Sequence, residues 1–227
     1  MNCVIFGAPG SGKGTQAAAL CEAFQMVHVS TGDMLREAVR NGTELGKKAQ
    51  ALMADGKLVP DELVGGIVRE KILNLVGQGK GILFDGYPRN LDQAKFLDAC
   101  LTEAGSQIDA VAVLDLDPAV LVKRICGRRL CTKPGCTGAF NIHFMPSKQE
   151  GVCDLCGSPL QQRKDDNEET LKERLAVYNS QSLPSLEYYD QKDLLIRVNA
   201  DDKVESVRAA LLGGIRAKCG CNKGCCA

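Results

Sequence analysis

Short apolar runs alternate with longer amphipathic segments along most of the chain. The runs lie at residues 2–6, 27–29, 81–84, 110–116 and 194–198, and their β-branched and aliphatic composition predicts strands. Strands that are apolar at nearly every position are typical of parallel sheets with both faces covered. Because these strands alternate with helical segments, the pattern predicts an α/β fold with a doubly wound, five-stranded parallel sheet.

The segments between these runs carry apolar residues at helical spacing. They predict helices at residues 15–24, 31–40, 44–54, 61–76, 91–103, 118–127 and 204–218. Asp117 and Pro118 form a typical helix start, with the acid as N-cap and the proline at the first helical position. Asp166, followed three residues later by Glu169, resembles a capping box and predicts the start of one more helix there.

Two segments interrupt the alternation of strands and helices. Residues 30–59 form a helical insertion after the second strand, and residues 128–164 form an insertion rich in cysteine, proline and glycine. We expect residues 1–29, 60–127 and 165–218 to build one core domain. Residues 219–227 remain as a cysteine-rich C-terminal tail.

Charge and hydropathy exclude several classes of protein. The 227 residues contain 28 Lys plus Arg and 28 Asp plus Glu, so the formal net charge is zero. This balance argues against a polybasic protein that binds nucleic acid or membrane surfaces. No apolar run approaches the roughly 20 residues that span a bilayer, and the N-terminus lacks a signal peptide's basic segment. We therefore expect a cytoplasmic protein, and a monomer because no apolar helix stripe is left over.

A glycine-rich loop joins the first predicted strand to the first predicted helix. Its sequence, GAPGSGKGT at residues 7–15, allows successive backbone N–H groups to point at a phosphate chain. The helix N-terminus and Lys13 add positive charge for the β and γ phosphates. Gly14 stands between Lys13 and Thr15, whereas the strict pattern has Ser or Thr directly after the lysine. The loop predicts nucleotide binding but does not identify a reaction.

The chain contains twelve cysteines, and in a reducing compartment paired cysteines indicate metal ligation more than disulfides. Two pairs lie in the second insertion, with four residues inside the first pair and two inside the second: Cys131, Cys136, Cys153 and Cys156. Four thiolates suit a closed structural zinc site, and sulfur ligands also suit iron or cobalt. Reduced thiols and disulfides remain alternatives.

The other cysteines fall into two groups. One is scattered among apolar residues and is interpreted as small buried side chains: Cys3, Cys21, Cys100 and Cys126. The other crowds the C-terminus and indicates either a disordered end or a site for a soft metal: Cys219, Cys221, Cys225 and Cys226.

Four further motifs, together with the phosphate loop, resemble the adenylate kinase family. They are STGDMLR at 30–36, DGYPR at 85–89 followed by Gln93, GRR at 127–129 and RKDD at 163–166. The resemblance extends from Met1 to about Leu212. It implies transfer of a phosphoryl group from ATP to AMP, giving two ADP. The second insertion resembles the long lid of zinc-bearing bacterial forms, although those usually have two residues inside the first cysteine pair.

The resemblance also implies roles for individual residues. The ATP site would comprise Gly10, Ser11, Gly12, Lys13, Gly14, Thr15, Arg124, Arg128, Ala139, Phe140 and Asp202. The AMP site would comprise Thr31, Arg36, Lys57, Leu58, Val59, Gly86, Tyr87, Pro88, Arg89, Gln93, Arg163 and Arg174. Asp85 would bind Mg²⁺ through water, since magnesium prefers few carboxylates and keeps several waters.

The implied mechanism is electrostatic and needs no general base. Positive groups would neutralise the phosphates while both insertions close and exclude water: Lys13, Arg89, Arg128, Arg163 and Arg174, with Mg²⁺. Arg124 and Arg128 are four residues apart, which predicts that they share one face of a helix.

Two other functions remain as alternatives. One is a kinase for another nucleoside monophosphate, such as UMP or CMP, although those relatives usually have a short lid. The other is a zinc ribbon that binds nucleic acid, which the zero net charge argues against. Of the two histidines, His28 is predicted to be a packed strand residue, and His143 a lid-surface residue or an alternative metal ligand.

Overall fold

In the computed structural model, which describes residues 1–220, the chain folds around a five-stranded parallel sheet. The strands of this sheet are β1 (Asn2–Gly7), β2 (Met26–Ser30), β3 (Gly81–Asp85), β4 (Ala110–Asp115) and β8 (Leu195–Asn199). Their spatial order is β2-β3-β1-β4-β8. The predicted doubly wound α/β fold is confirmed.

The helices connect and cover these strands. They are α1 (Lys13–Phe24), α2 (Thr31–Arg40), α3 (Glu44–Ala54), α4 (Asp61–Gly77), α5 (Leu91–Glu103), α6 (Pro118–Cys126), α7 (Glu168–Val177), α8 (Leu183–Asp190) and α9 (Val204–Cys219). A π-helical turn, Tyr178–Ser182, joins α7 to α8. None of the helices in residues 1–220 combines the length and the hydropathy that a membrane span needs.

The central strand β1 explains why both faces of the sheet are covered. All six of its residues are buried, and the apolar side chains of residues 3–6 alternate between two apolar clusters. Val4 and Phe6 pack with residues of α4, α5 and α8, whereas Cys3 and Ile5 pack with residues of α1 and α9. Cys3 and Cys100 are buried, as predicted for small apolar side chains, whereas Cys21 and Cys126 are only partly buried.

Polar side chains at the helix starts fix several element boundaries. The hydroxyl of Thr43 accepts a hydrogen bond from the Gly46 amide at 3.1 Å, and Asp117 accepts one from the Ala119 amide at 2.8 Å. The predicted Asp166 cap is wrong: Asn167 caps α7 through the Thr170 amide at 2.9 Å. Asp166 is instead 1% exposed and pairs with Arg128.

The second insertion forms a small antiparallel sheet rather than a continuation of α6. Its strands, in spatial order β6-β5-β7, are β5 (Arg128–Cys131), β6 (Ala139–Asn141) and β7 (Leu160–Gln161). Because α6 ends at Cys126, the prediction that Arg124 and Arg128 share a helix face is wrong. Arg128 begins β5 and pairs with Asn141 in the ladder.

In the first insertion, α2 and α3 cross at a glycine. A Cβ atom added at Gly46 would lie 2.1 Å from the backbone oxygen of Ala38. The two helices therefore pack with their backbones almost in contact. Of the tail, Cys219 ends α9, and Cys221, Cys225 and Cys226 lie outside the described residues.

We predict that replacing Gly46 with alanine lowers the free energy of unfolding by about 2 kcal/mol or more, because the backbone of Ala38 cannot move aside easily. Gly66→Ala is the matched control. Nothing lies within 4 Å of its added Cβ, so helix propensity predicts stabilisation of up to about 1 kcal/mol. Urea unfolding measures both values. Equal midpoints for the two variants would contradict the close crossing of α2 and α3.

Candidate active site and thiol cluster

The glycine-rich loop wraps around an open space at the N-terminus of α1. Gly10 and Gly12 have positive φ angles of 87° and 99°, a backbone region that other residues rarely adopt. A Cβ at Gly14 would meet no atom within 4 Å. The buried Ser11 hydroxyl has no hydrogen-bond partner within the described residues. The loop thus offers an unused donor beside a helix N-terminus, as an anion site requires.

Lys13 turns back onto this loop. Its ammonium group donates hydrogen bonds to the backbone oxygens of Gly7 at 2.6 Å and of Ala8 at 3.0 Å. Burial lowers the pKa of Lys13, Asp85 opposes this effect, and the positive charges of Arg174, Arg89 and Arg128 add to it, so that the net pKa is about 8. The loop therefore holds a cation whose charged form is poorly compensated in the unliganded protein.

A cleft of about 590 Å³, part of it open to solvent, is lined by Arg89 and Arg174, whose charges act on Lys13 of the loop. Most of the residues predicted for AMP line it: Thr31, Arg36, Lys57, Leu58, Val59, Gly86, Tyr87, Arg89, Gln93 and Arg174. They come from α2, the end of the first insertion, the loop between β3 and α5, the start of α5, and α7. The fold thus brings together residues that are up to 143 positions apart in the sequence.

Three hydrogen bonds fix the backbone and side chain of Arg89 at this cleft. Its Nε donates to the Gly86 oxygen at 2.7 Å, its amide donates to Gln93 Oε1 at 2.8 Å, and its carbonyl accepts from the Ser182 hydroxyl at 2.9 Å. Burial lowers the pKa of Arg89 to about 10, and Arg174 and Arg36 contribute in the same direction. The guanidinium is therefore positioned before any ligand binds.

Carboxylates hold the other arginines of the cleft. Asp33 contacts Arg36 at 2.5 Å and Arg163 at 3.3 Å, so one acid on α2 joins the two insertions. Burial raises the pKa of Asp33, but the charge and hydrogen bond of Arg36 outweigh this effect and the net shift is downward.

The two acids after Arg163 hold the remaining arginines. Asp165 contacts Arg174 at 3.1 Å, and Asp166 accepts a hydrogen bond from Arg128 Nε at 2.8 Å. Burial lowers the pKa of Arg163 to about 10, with Arg36 and Arg128 adding to the effect. The guanidinium groups thus repel one another even though carboxylates lie between them.

The prediction that His28 is a packed strand residue is wrong, because its side chain is exposed in the middle of β2. Its Nε2 lies 3.2 Å from Asp85 Oδ2. Burial raises the pKa of Asp85, but the hydrogen bond with His28 and the charge of Lys13 outweigh it, so the net shift is downward. Asp85 is therefore an ionised carboxylate beside the phosphate loop, which is the donor type that Mg²⁺ prefers.

Arg124 lies on the other side of the phosphate loop. Its guanidinium donates to the Ala200 oxygen at 2.9 Å and to the Ser11 oxygen at 3.5 Å, which brings the segment before Asp202 to the loop. The ring of Phe144 lies 5.7 Å from its guanidinium carbon, a cation–π contact that the sequence did not indicate.

Ala139 and Phe140, the other predicted ATP residues, lie on β6 of the lid sheet. The next residue, Asn141, donates a hydrogen bond to the Arg124 oxygen at 2.8 Å.

The four cysteines of the second insertion converge on one point. Their Sγ atoms all lie within 4.8 Å of one another, with 3.4 Å between Cys131 and Cys156 and 3.8 Å between Cys136 and Cys153. These distances exceed the disulfide length of about 2.05 Å, so the disulfide alternative does not hold. A tetrahedral ion with metal–sulfur bonds of about 2.3 Å needs sulfurs about 3.8 Å apart. The four residues therefore fit a tetrathiolate metal site.

Two neighbours support this thiol cluster. Hydrogen bonds from the side chain and amide of Ser158 lower the pKa of Cys156 to about 6. A Cβ at Gly138 would lie 2.5 Å from the Cys153 sulfur, so only glycine fits there. The cluster contains no histidine, and His143 is exposed, in agreement with the prediction of a surface residue.

Several site residues were missed by reasoning from the sequence. The acids Asp33, Asp165 and Asp166 lay within recognised motifs, yet nothing local indicated which arginine each one would contact. Gly138 and Ser182 lay in no motif, and only the distance to Cys153 and the hydrogen bond to Arg89 show their roles.

Comparisons with known proteins agree with this geometry. A family model described as adenylate kinase matches residues 5–194. A protein named adenylate kinase from Petrotoga mobilis is 43% identical over 217 residues, covering 96% of this chain and 98% of that relative. One of the same name from Oceanobacillus iheyensis is 46% identical over 207 residues, covering 91% and 95%. Another from Citrifermentans bemidjiense is 45% identical over 217 residues, covering 96% and 100%.

We predict that Lys13→Met makes the unliganded protein more stable at pH 7, by about 1–3 kcal/mol, because the variant no longer holds a buried cation among arginines. Between pH 8 and about 10.5 the unfolded chain binds the Lys13 proton more tightly than the folded chain does. The free energy of unfolding of the wild type therefore rises relative to that of the variant as the pH increases across this range. Urea unfolding of both proteins from pH 7 to pH 10.5 measures the difference. A variant that is less stable at pH 7, or a difference that stays constant with pH, would contradict the burial of an uncompensated charge.

We predict that Gly138→Ala lowers the metal affinity of the thiol cluster by about tenfold or more, since the added methyl displaces the Cys153 sulfur. Competition with a chromophoric chelator measures the affinity, and atomic emission of the wild type identifies the metal. Gly213→Ala is the control, because its added Cβ meets nothing within 4 Å. Wild-type affinity in Gly138→Ala would show that the cluster does not need this glycine.

Proposed function

The chain belongs to the adenylate kinase family and is therefore a nucleoside monophosphate kinase, and we propose that it transfers a phosphoryl group reversibly from Mg–ATP to AMP to give two ADP. One observation carries the proposal. A phosphate-binding loop and a second cleft lined by arginines lie side by side, so two polyanions can meet between them. In this proposal, the acceptor cleft determines which nucleoside monophosphate the enzyme uses.

We assign the acceptor site to the cleft between α2 and the β3–α5 loop. Arg36 and Arg89 bind the AMP phosphate, the Gly86–Pro88 backbone and Thr31 lie along the nucleotide, and Gln93 contacts the base. Support comes from Arg89, whose Nε hydrogen bond orients the guanidinium while two further hydrogen bonds hold its backbone. A planar guanidinium matches a phosphate with two parallel hydrogen bonds.

We assign the donor site to the phosphate loop and the lid. Residues 10–15 bind the ATP phosphates through backbone N–H groups and Lys13, and Arg124 lies against the adenine. Ala139, Phe140 and the Asp202 carbonyl complete the nucleoside contacts. The unused hydroxyl of Ser11 and the open space at Gly14 support this assignment.

Catalysis then consists of positioning and charge neutralisation. Lys13, Arg89, Arg128, Arg163 and Arg174 surround the transferring phosphoryl group, and no residue acts as a general base because the AMP phosphate is already an anionic nucleophile. Asp85 holds Mg²⁺ through water, and the ion supplies charge that neutralises the phosphate oxygens. The depressed pKa of Asp85 supports this role, since an ionised acid is available at neutral pH.

The two insertions serve as moving parts. Residues 30–59 form the AMP-binding insertion and residues 128–164 the lid, and both close over the core to exclude water. Arg163 of the lid already contacts Asp33 of the first insertion, at 3.3 Å. The thiol cluster holds a structural zinc ion, because its sulfur spacing fits tetrahedral geometry and a sheet with a two-residue strand has little core of its own.

The enzyme works as a cytoplasmic monomer that binds neither nucleic acid nor membranes. A reducing compartment keeps the four lid thiols available for metal. The zero net charge argues against a polybasic protein that binds nucleic acid or membrane surfaces. Exposed apolar side chains of the core are spread over different helices, as with Leu73, Phe96 and Leu183.

We predict that the purified protein forms ADP from ATP, AMP and Mg²⁺, and that Lys13→Met lowers kcat by about a hundredfold or more. Lys95→Met, an exposed lysine on α5, is the control and keeps wild-type activity. The same coupled assay with UMP and CMP in place of AMP identifies the acceptor. No ADP from AMP, or a higher kcat/KM for UMP or CMP, would overturn the proposed reaction.

A further inference from the structure

The side chain of Gln93 is held from two sides at the acceptor cleft. It is 4% exposed, lines the cleft and forms two hydrogen bonds through its amide. Oε1 accepts from the Arg89 backbone amide at 2.8 Å, and Nε2 donates to Asp61 Oδ1 at 2.6 Å. Each of these amide atoms retains one further hydrogen-bonding position, because an amide oxygen has two lone pairs and its nitrogen two hydrogens.

The neighbours leave the Gln93 amide with only one orientation. A backbone N–H can only donate, so it must face the oxygen, and a carboxylate can only accept, so it must face the nitrogen. Rotating the amide by 180° would place N–H against N–H at Arg89 and oxygen against oxygen at Asp61. Both hydrogen bonds would be lost in a buried environment, where unmade hydrogen bonds are costly.

Asp61 itself is fixed by a second contact. Its Oδ2 accepts from Asn90 Nδ2 at 2.9 Å, and Asn90 Oδ1 accepts from the backbone N–H of Gln93 at 2.8 Å as the N-cap of α5. Asp61 is the first residue of α4, and the acid–amide contacts tie the start of α4 to the start of α5. The carboxylate therefore reaches Gln93 from outside the cleft and is not among the residues that line it.

We propose that Asp61 is a specificity-determining positioning residue, which fixes the Gln93 amide so that the acceptor site takes a 6-amino purine and rejects a 6-oxo purine. This inference rests on the proposed function, since it takes the cleft to hold the acceptor base. Adenine presents an N–H donor at C6 beside a ring-nitrogen acceptor, which matches one free acceptor and one free donor on Gln93. Hypoxanthine presents an oxygen at C6 beside N1–H, which matches only the reversed amide.

The test compares AMP with IMP as acceptors for the wild type and three variants. Asp61→Asn keeps the size of the side chain but can donate, so it tolerates the reversed amide of Gln93. Asp61→Ala removes the contact altogether. Glu62→Gln, the next acid in the first turn of α4, is the matched control, because it removes the same charge from the helix start, whereas the hydrogen bond to Gln93 comes from Asp61. Values of kcat and KM are measured for both acceptors at saturating Mg–ATP, and calorimetry measures AMP and IMP binding.

For Asp61→Asn we expect the ratio of kcat/KM for AMP over IMP to fall by about tenfold or more, the scale of one hydrogen bond lost in a buried site. Most of the change lies in the KM for AMP, whereas kcat at saturating AMP and the KM for ATP stay within about twofold of wild type. Asp61→Ala also raises the KM for AMP. Its kcat/KM for IMP increases less than that of Asp61→Asn, since alanine offers no donor that favours the reversed amide. Glu62→Gln keeps the wild-type ratio.

A merely structural role for Asp61 would lower activity with both acceptors equally and leave the ratio unchanged, which overturns the proposal. An unchanged ratio in both Asp61 variants, with binding of AMP and IMP also unchanged, overturns it in the same way. Wild-type protein that makes no ADP from AMP defeats the proposed function and this inference together, whereas an active wild type with an unaltered ratio defeats this inference alone.

Discussion

Repulsion among positive groups that are held close together is the constraint on which the rest of the structure depends. Lys13, Arg89, Arg128, Arg163 and Arg174 share one region. Burial lowers the pKa values of Lys13, Arg89, Arg163 and Arg174, and neighbouring cations add to this effect. Such an arrangement is unfavourable without an anion. The folding energy of the parallel sheet and its two apolar clusters must hold it together. A pair of nucleotides supplies the missing negative charge, so binding relieves the repulsion that folding imposes.

The carboxylates that contact these arginines affect how the two insertions move as well as how stable the protein is. Asp33 binds arginines from both insertions, while Asp165 and Asp166 bind Arg174 and Arg128. In the unliganded protein these carboxylates occupy hydrogen-bond positions that phosphate oxygens can take. Each arginine can thus exchange one anion for another without being left unpaired. Under the proposed function, exchange of this kind keeps these arginines paired with an anion while the insertions open and close.

The fold could be predicted closely from the sequence, because strand and helix periodicities are local properties. The boundaries of α2, α3 and α5 were predicted at both ends, and in the structure Ser30, Thr43 and Asn90 cap the starts of these helices. Predictions failed where a distant partner overrode a local pattern. Asp166 lies in a capping-box pattern, but it binds Arg128, 38 residues away, and Gly127 ends α6 before Arg128 can join it. The Asp61–Gln93 contact, across 32 residues, left no local signal at all.

Proton uptake on nucleotide binding tests the central claim most directly. The ligand is a dinucleotide with two adenosines joined by a chain of phosphates, which spans both sites, and titration calorimetry at pH 8 in buffers of different ionisation enthalpy counts the protons. Lys13, with a pKa of about 8, is half protonated at that pH, and the phosphates will raise its pKa. The account predicts that, on binding the dinucleotide, the wild type takes up about half a proton per chain more than Lys13→Met does. Tight binding with equal proton uptake by the two proteins would contradict it.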